Sequence, residues 1–377
     1  MENTRIGKFE AIALILTVIV NHAILNITKI IISSTNTSAI LNTIYISLIA
    51  ILISYIIYKL LNKFPTFDIL DISNFLGGKI LKLIVSILFF AYFIFFSGSL
   101  LKSLAYCLQT IYYTSTNTFF IIAIFLIGAV FVCNLKNDST FRSNLLVIPL
   151  VLLSIVVLFL GNTGDFVFEN IFPILGNGIF DTFFMGASNL FAFQGLLHLL
   201  FLPPHLKDIT NLKKITLLSI LFSALYLICS VCIVLLLFDT TVTSTLLMPL
   251  YSAARYIEFG TFFQRLDSVF ILIWIISFVS YLSIIISTCC NILRKVTPIS
   301  STKLASNLIA FFILVVTFFS RTYATSTFYT DIVYKYAFFS VLGISIIVMF
   351  SAFILKNIKN KNSNKQISAN PLKGGAI

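Results

Sequence analysis

Apolar residues run along this chain in long unbroken stretches separated by short polar connections. Ten such segments stand out, at about 9–32, 38–59, 80–106, 118–134, 144–160, 181–202, 214–238, 268–292, 303–320 and 332–355. Most approach the roughly 20 residues that an α-helix needs to cross a hydrocarbon core. Because the runs are continuous rather than alternating, a transmembrane β-barrel is disfavoured. The fourth and fifth are the shortest, polar residues interrupt the sixth, and no long hydrophilic domain is inserted. The pattern predicts an all-α polytopic membrane protein, one transmembrane domain over 1–355, with a polar basic tail over 356–377 expected to be disordered.

Composition points the same way. Of 377 residues, 59% are apolar and 10% are charged, whereas soluble domains carry about 25% charge. The 40 Phe and 15 Tyr cannot all hide in a water-soluble core of this length. A soluble enzyme, a secreted disulfide scaffold and a disordered chain are excluded. The net charge of +12 would suggest nucleic acid in a soluble protein. In a membrane protein it belongs to cytoplasmic connections, so no nucleic-acid partner is expected. With the N-terminus inside, only Lys29, Lys102, Arg255, Arg265, Arg321 and Lys335 of the 25 basic residues fall on the outer side. That asymmetry predicts both termini in the cytoplasm and an even number of spans. The apolar run after Arg5 and Lys8 reaches Ile32 without a small-residue cleavage site, so it reads as a first span rather than a signal peptide. Among the six Cys, Cys229 and Cys232 read as small buried hydrophobes, and Cys289 and Cys290 sit near a helix end. No metal site and no cofactor is expected.

Ten spans divide into five and five, and a five-span repeat restarts from the opposite side of the membrane. Any internal duplication is therefore inverted, the common architecture of secondary transporters, with a site at mid-membrane between the copies. The first helix of each half carries the most polarity: Asn21, His22, Asn26 and Thr28 in span one, and Ser188, Asn189, Gln194 and Gly195 in span six. Such interruptions predict discontinuous, leucine-transporter-like first and sixth helices. Span three adds an aromatic run ending at Phe96, then Ser97; span eight adds Ser277, Ser280, Tyr281 and Ser283. The candidate ligand-binding residues are Asn21, His22, Asn26, Phe96, Ser97, Ser188, Asn189, Phe191, Gln194, Gly195, Ser280 and Tyr281. Two readings stay open for them: a pocket for a small polar molecule such as an amino acid, or interhelical hydrogen bonding.

All 13 carboxylates fall in connections or at span ends. A site without a buried acid is poorly equipped for proton coupling, yet helix ends can still meet the charges of a zwitterion. No nucleophile–base pair, metal cluster or phosphate loop is visible, so no catalytic residue is proposed. The outward segment 239–267 carries Arg255, Glu258, Arg265 and Asp267, which fit surface ion pairing or contact with a partner subunit. The inner loop with Pro65, Gly77 and Gly78 reads as a short interfacial helix turning into span three.

Three stretches resemble the endospore germination permeases, the B subunits of spore germinant receptors, within the amino acid–polyamine–organocation superfamily. They are Phe64-Pro65 with Leu76-Gly77-Gly78-Lys79; Asn170-Ile171-Phe172-Pro173-Ile174-Leu175-Gly176-Asn177-Gly178; and Tyr251, Arg255 and Phe263-Gln264-Arg265-Leu266-Asp267 running into Trp274. The resemblance implies a ten-helix inverted-repeat fold in the inner membrane of a dormant spore. It also implies recognition of a small nutrient, and assembly with a membrane A subunit and a lipoprotein C subunit. Two departures stand out: Asn21-His22-Ala23 replaces a Gly-rich signature in span one, and Gln194-Gly195 stands where many relatives carry an acid. Both favour a sensor over an ion-coupled permease.

Overall fold

The computed structural model describes residues 6–135, 139–257, 266–319 and 323–369, with the backbone alone described at 139, 323–334 and 360–369. Helix α1 (Lys8–His22) passes through a π-helical turn, Ala23–Ile27, into α2 (Thr28–Thr35). There follow α3 (Ala39–Leu61), α4 (Ile69–Ile111), α5 (Thr118–Asn134) and α6 (Ser139–Gly161). Next comes a stretch that changes its hydrogen-bond pattern as it goes: π over Phe180–Met185, 3-10 over Gly186–Phe193, then α7 (Gly195–Leu199). The chain continues with α8 (Leu212–Leu237), α9 (Thr240–Thr245), α10 (Pro249–Tyr256), α11 (Leu266–Val296), α12 (Thr302–Phe319) and α13 (Tyr323–Ala369).

Among the described residues, seven helical stretches are long and apolar enough to cross a membrane, and Thr118–Asn134 is apolar but shorter. The chain is therefore a multi-pass helical membrane protein. Its outside is as apolar as its inside: Leu146 and Ile80 are 76% and 75% exposed. Such a surface is stable only against lipid tails.

The structure departs from the expected breaks in a definite way. Span one contains no Gly or Pro between Lys8 and Thr35, so nothing forces its backbone out of the helical region. Instead, dihedrals on both flanks of the π turn stay right-handed (His22 −69°, −42°; Thr28 −59°, −46°). One widened turn disturbs the backbone ladder there, and Thr28 Oγ1 donates to the Ala23 carbonyl at 3.1 Å. The sixth segment likewise keeps helical dihedrals at Gly186 and Gln194 while its hydrogen bonding tightens. Both polar interruptions are thus changes of helical pitch, not unwound backbone.

A true break occurs elsewhere. Within α4, Gly77 (φ −134°, ψ 20°) and Gly78 (φ 66°, ψ −159°) leave the helical region, and the positive φ at Gly78 suits glycine alone. The short helix Ile69–Leu76 is thereby separated from the long part that follows. At the other extreme, α13 runs on as helix through Ala369, where the composition suggested an irregular tail from residue 356.

Ile6 at the start of the described residues and Lys356 late in α13 lie at one end of the bundle. Ile6 N–H donates to the His205 carbonyl (2.7 Å) and Lys207 N–H to the Ile6 carbonyl (3.0 Å). Nearby, Lys356 Nζ donates to the Lys63 carbonyl (2.6 Å). At the opposite end, Lys29 Nζ reaches the Leu246 carbonyl (2.9 Å), and Thr37 Oγ1 ties the α2–α3 turn to the Pro173 carbonyl (2.6 Å).

Candidate ligand-binding site

Span one distributes its polar side chains among its neighbours. Asn21 Nδ2 donates to the Thr17 carbonyl (2.8 Å) and to Ser277 Oγ on α11 (2.9 Å). Asn26 Nδ2 donates to Ser103 Oγ on α4 (3.1 Å). These are interhelical bonds of the kind that hold membrane bundles together. Ser277 is followed by Ser280 and Tyr281, both buried, with the Tyr281 ring 5.3 Å from that of Phe278. Ser97 is buried too, and returns its hydroxyl to the Ile94 carbonyl (3.1 Å).

In the sixth segment the candidates separate. Asn189 turns toward the first half of the chain, donating to Ser34 Oγ (2.9 Å) and to Asn42 Oδ1 (3.0 Å). Asn42 in turn donates to the Thr182 carbonyl (2.7 Å). Ser188 is half-buried beside it. Gln194 is 1% exposed, and its Nε2 has no hydrogen-bond partner among the described residues. A buried amide donor left unmatched costs about 1–3 kcal/mol, a sign of a position awaiting an acceptor. Gly195 lets spans one and six touch, since a Cβ there would lie 2.8 Å from Ile19 and 3.1 Å from Ile15. Gly195→Val should destabilise the protein by about 1–3 kcal/mol through overpacking, read as a lower midpoint of thermal unfolding in detergent. An unchanged midpoint would mean that the two helices can part freely.

The sharpest convergence lies between these helices. The His22 ring meets Phe96 edge-on at 5.2 Å and Phe191 at 5.4 Å. Over the Phe191 ring, at 6.0 Å from its centroid, sits the Lys335 ammonium of α13. No carboxylate among the described residues reaches that ammonium. Phe96 also stacks on Tyr92 at 5.8 Å, and both line a cavity of about 380 Å³ bounded by Phe95, Ala337, Ser340 and Val341. Four helical segments thus bring together an imidazole, two phenyl rings and a cation, of which Phe96 alone lines that largely apolar cavity. The hydropathy pattern places Lys335 at the very start of the tenth apolar segment, 332–355, where it counts only among the outer-side basic residues. Yet α13 already begins at Tyr323, which carries Lys335 well inside the helix.

The residues expected to face a partner divide as well. Arg255 is exposed on α10. Asp267 is not on the surface: it is 5% exposed and accepts from Tyr251 Oη at 2.9 Å, with Tyr112 Oη 3.0 Å beyond. The apolar start of α11 draws it inward, and the tyrosine satisfies the carboxylate there. Glu258 and Arg265 lie outside the described residues. A partly buried ion triad lies at the end of the bundle near Ile6, where Lys295 Nζ bridges Asp68 (2.6 Å) and Asp71 (2.5 Å).

The sequence model of a family described as spore germination protein, the spore permeases, matches residues 5–329. The chain belongs to this family. Curated proteins give no match to this spore permease. Among solved structures it is similar to a Na+-coupled sialic acid symporter in a substrate-bound, outward-open state. The TM-score is 0.64 at 11% identity, covering 90% of this chain and 79% of that one. It is similar also to Mhp1 in its inward-facing conformation (0.61, 12%, covering 94% and 77%). Mhp1 in a closed conformation with bromovinylhydantoin bound gives 0.61 at 14%, covering 91% and 78%. Mhp1 is described as a nucleobase-cation-symport-1 family transporter. At these identities the likeness establishes a shared transporter fold. The family and the fold neighbours are permeases and transporters rather than enzymes.

Proposed function

We propose that this spore permease is the membrane subunit of a nutrient germinant receptor. It binds a small carboxylate-bearing nutrient, an amino acid first among them, and signals germination together with an A subunit and a lipoprotein C subunit. In this reading the helices make ten spans in a five-plus-five inverted repeat, seated in the inner membrane of the spore with both termini cytoplasmic. The observation that carries the proposal is the Lys335 ammonium poised over Phe191, which itself contacts His22. An ionisable group at a span, with no acid opposite among the described residues, suits an anionic guest. The ligand carboxylate faces Lys335, the Gln194 amide supplies a further donor, and Phe96 and Phe191 wall the aliphatic part.

A second reading, an ion-coupled amino-acid permease, draws on the Na+-coupled fold neighbour. Uptake of labelled amino acids into proteoliposomes with and without a Na+ or proton gradient separates the two, because accumulation against a gradient belongs to the permease alone. The receptor reading is tested with spores carrying His22→Leu at matched receptor levels, scored across amino acids, sugars and nucleosides. Loss of the polar ring should raise the concentration for half-maximal germination about tenfold, equivalent to one hydrogen bond of ~1.4 kcal/mol. An unchanged response to every nutrient would overturn the site.

A further inference from the structure

The loop that carries Phe64-Pro65, together with the first turns of α4, builds a second pocket far from the nutrient site. Phe64, Pro65, Thr66, Phe67, Phe75, Lys356 and Lys359 line a cavity of about 400 Å³. Its walls are rings and ammoniums in alternation. Phe64 stacks on Phe67 at 6.3 Å and tilts against Phe75 at 5.9 Å. Lys356 Nζ lies 4.7 Å over Phe64, and Lys359 Nζ 4.9 Å over Phe75. Beside them, Lys63 Nζ stands 6.0 Å from the Phe353 ring. Among the described residues no carboxylate pairs with any of these three lysines.

The position of this pocket decides what fits it. It sits where α3 ends at Leu61, and where the apolar stretch Lys335–Lys359 of α13 gives way to charge. Beyond the break at Gly77–Gly78, Ile80, Leu83 and Ile84 are exposed and apolar, so the bilayer interior begins there. A pocket at that level, with ammoniums set over aromatic rings, matches a molecule that carries a phosphate next to hydrocarbon. Basic pockets between helices on the cytoplasmic side are recognised binding sites for anionic lipid head groups. We infer that this pocket holds the head group of an anionic phospholipid, its phosphate on Lys356 and Lys359 and its glycerol and upper acyl carbons against Phe64, Phe67 and Phe75. The inference is independent of the nutrient site.

The test uses the full chain, purified in detergent and examined by native mass spectrometry after incubation with phosphatidylglycerol, with phosphatidylcholine, or with inorganic phosphate alone. Phosphatidylglycerol should be retained and phosphatidylcholine lost. The double variant Lys356→Gln/Lys359→Gln should weaken retention about 30-fold, with each lysine contributing roughly fivefold. Lys361→Gln/Lys365→Gln removes the same charge from the next stretch of α13 and should leave retention near wild type. If the first variant does not fold, Thr66→Glu on the exposed rim takes its place by repelling a phosphate. Equal loss in the Lys361/Lys365 control overturns the pocket in favour of a general surface potential. Equal retention of the neutral lipid, or displacement of the lipid by inorganic phosphate, overturns the lipid assignment itself.

Discussion

Spores carrying Lys335→Met should need about 30-fold more of a carboxylate-bearing nutrient to germinate, or should not respond at all. Removing one partner of a desolvated, hydrogen-bonded charge pair costs about 2–5 kcal/mol, and each 1.4 kcal/mol is tenfold in apparent affinity. Lys335 stands over Phe191 without an acid of its own among the described residues, so its charge is free to meet one supplied by the ligand. The comparison that isolates this contact uses an amino alcohol, which keeps the amine and side chain but lacks the carboxylate. On the wild type the alcohol should be weak, and Lys335→Met should weaken it no further, because the contact it lacks is already gone. Lys335→Arg keeps the charge and should retain most of the response. If acid and alcohol lose equally in Lys335→Met, the lysine supports the fold rather than the guest.

The second large effect concerns the end of the bundle that holds Ile6 and Asp68. Asp68 caps α4 by accepting from the Leu70 and Asp71 amides, both at 3.0 Å. Its side chain is 4% exposed, and Lys295, from the far end of α11, neutralises it together with Asp71. Taking the cation away would leave two adjacent carboxylates, one of them buried, without a counter-charge among the described residues. Breaking a buried pair in this way costs about 3–5 kcal/mol, and the partial exposure of Asp71 and Lys295 brings the expectation for Lys295→Met down to about 2–3 kcal/mol. Thermal unfolding in detergent should register it as a clear drop in midpoint. Adding Asp68→Asn to that variant should recover part of the loss, since the buried charge then disappears as well. A Lys295→Met protein as stable as the wild type would mean that water already screens the triad.

Much of the architecture is legible in the order of residues. Long apolar runs demand lipid whatever their tertiary partners, so the helices fall close to where hydropathy puts them; α5, at Thr118–Asn134, coincides with its apolar segment. The paired glycines before span three also announce their break, because a positive φ at Gly78 is cheap only without a side chain. The candidate site is less readable. Asn21, Asn26 and Asn189 look alike in sequence, but each spends its amide on a different neighbouring helix, and nothing local specifies which neighbour that is. His22, Phe96 and Phe191 come together only because three helices cross at one depth. Lys335 follows the same logic: at the edge of its apolar segment it counts only as an outer-side charge until the helix around it is seen to begin at Tyr323. Asp267 errs in the other direction, since its acid suggests water while Tyr251 and Tyr112 receive it inside.

The widened turn at Ala23–Ile27 has a geometric corollary. A π turn amounts to one extra residue inserted in an α-helix, and one residue is worth about 100° of rotation about the axis. Everything beyond it, including Lys29 facing the Leu246 carbonyl, therefore owes its azimuth to that surplus. Were the turn to relax into ordinary α-helix, the outer portion of the span would swivel like a key in a lock while the inner portion, held by Asn21 on Ser277, stayed still.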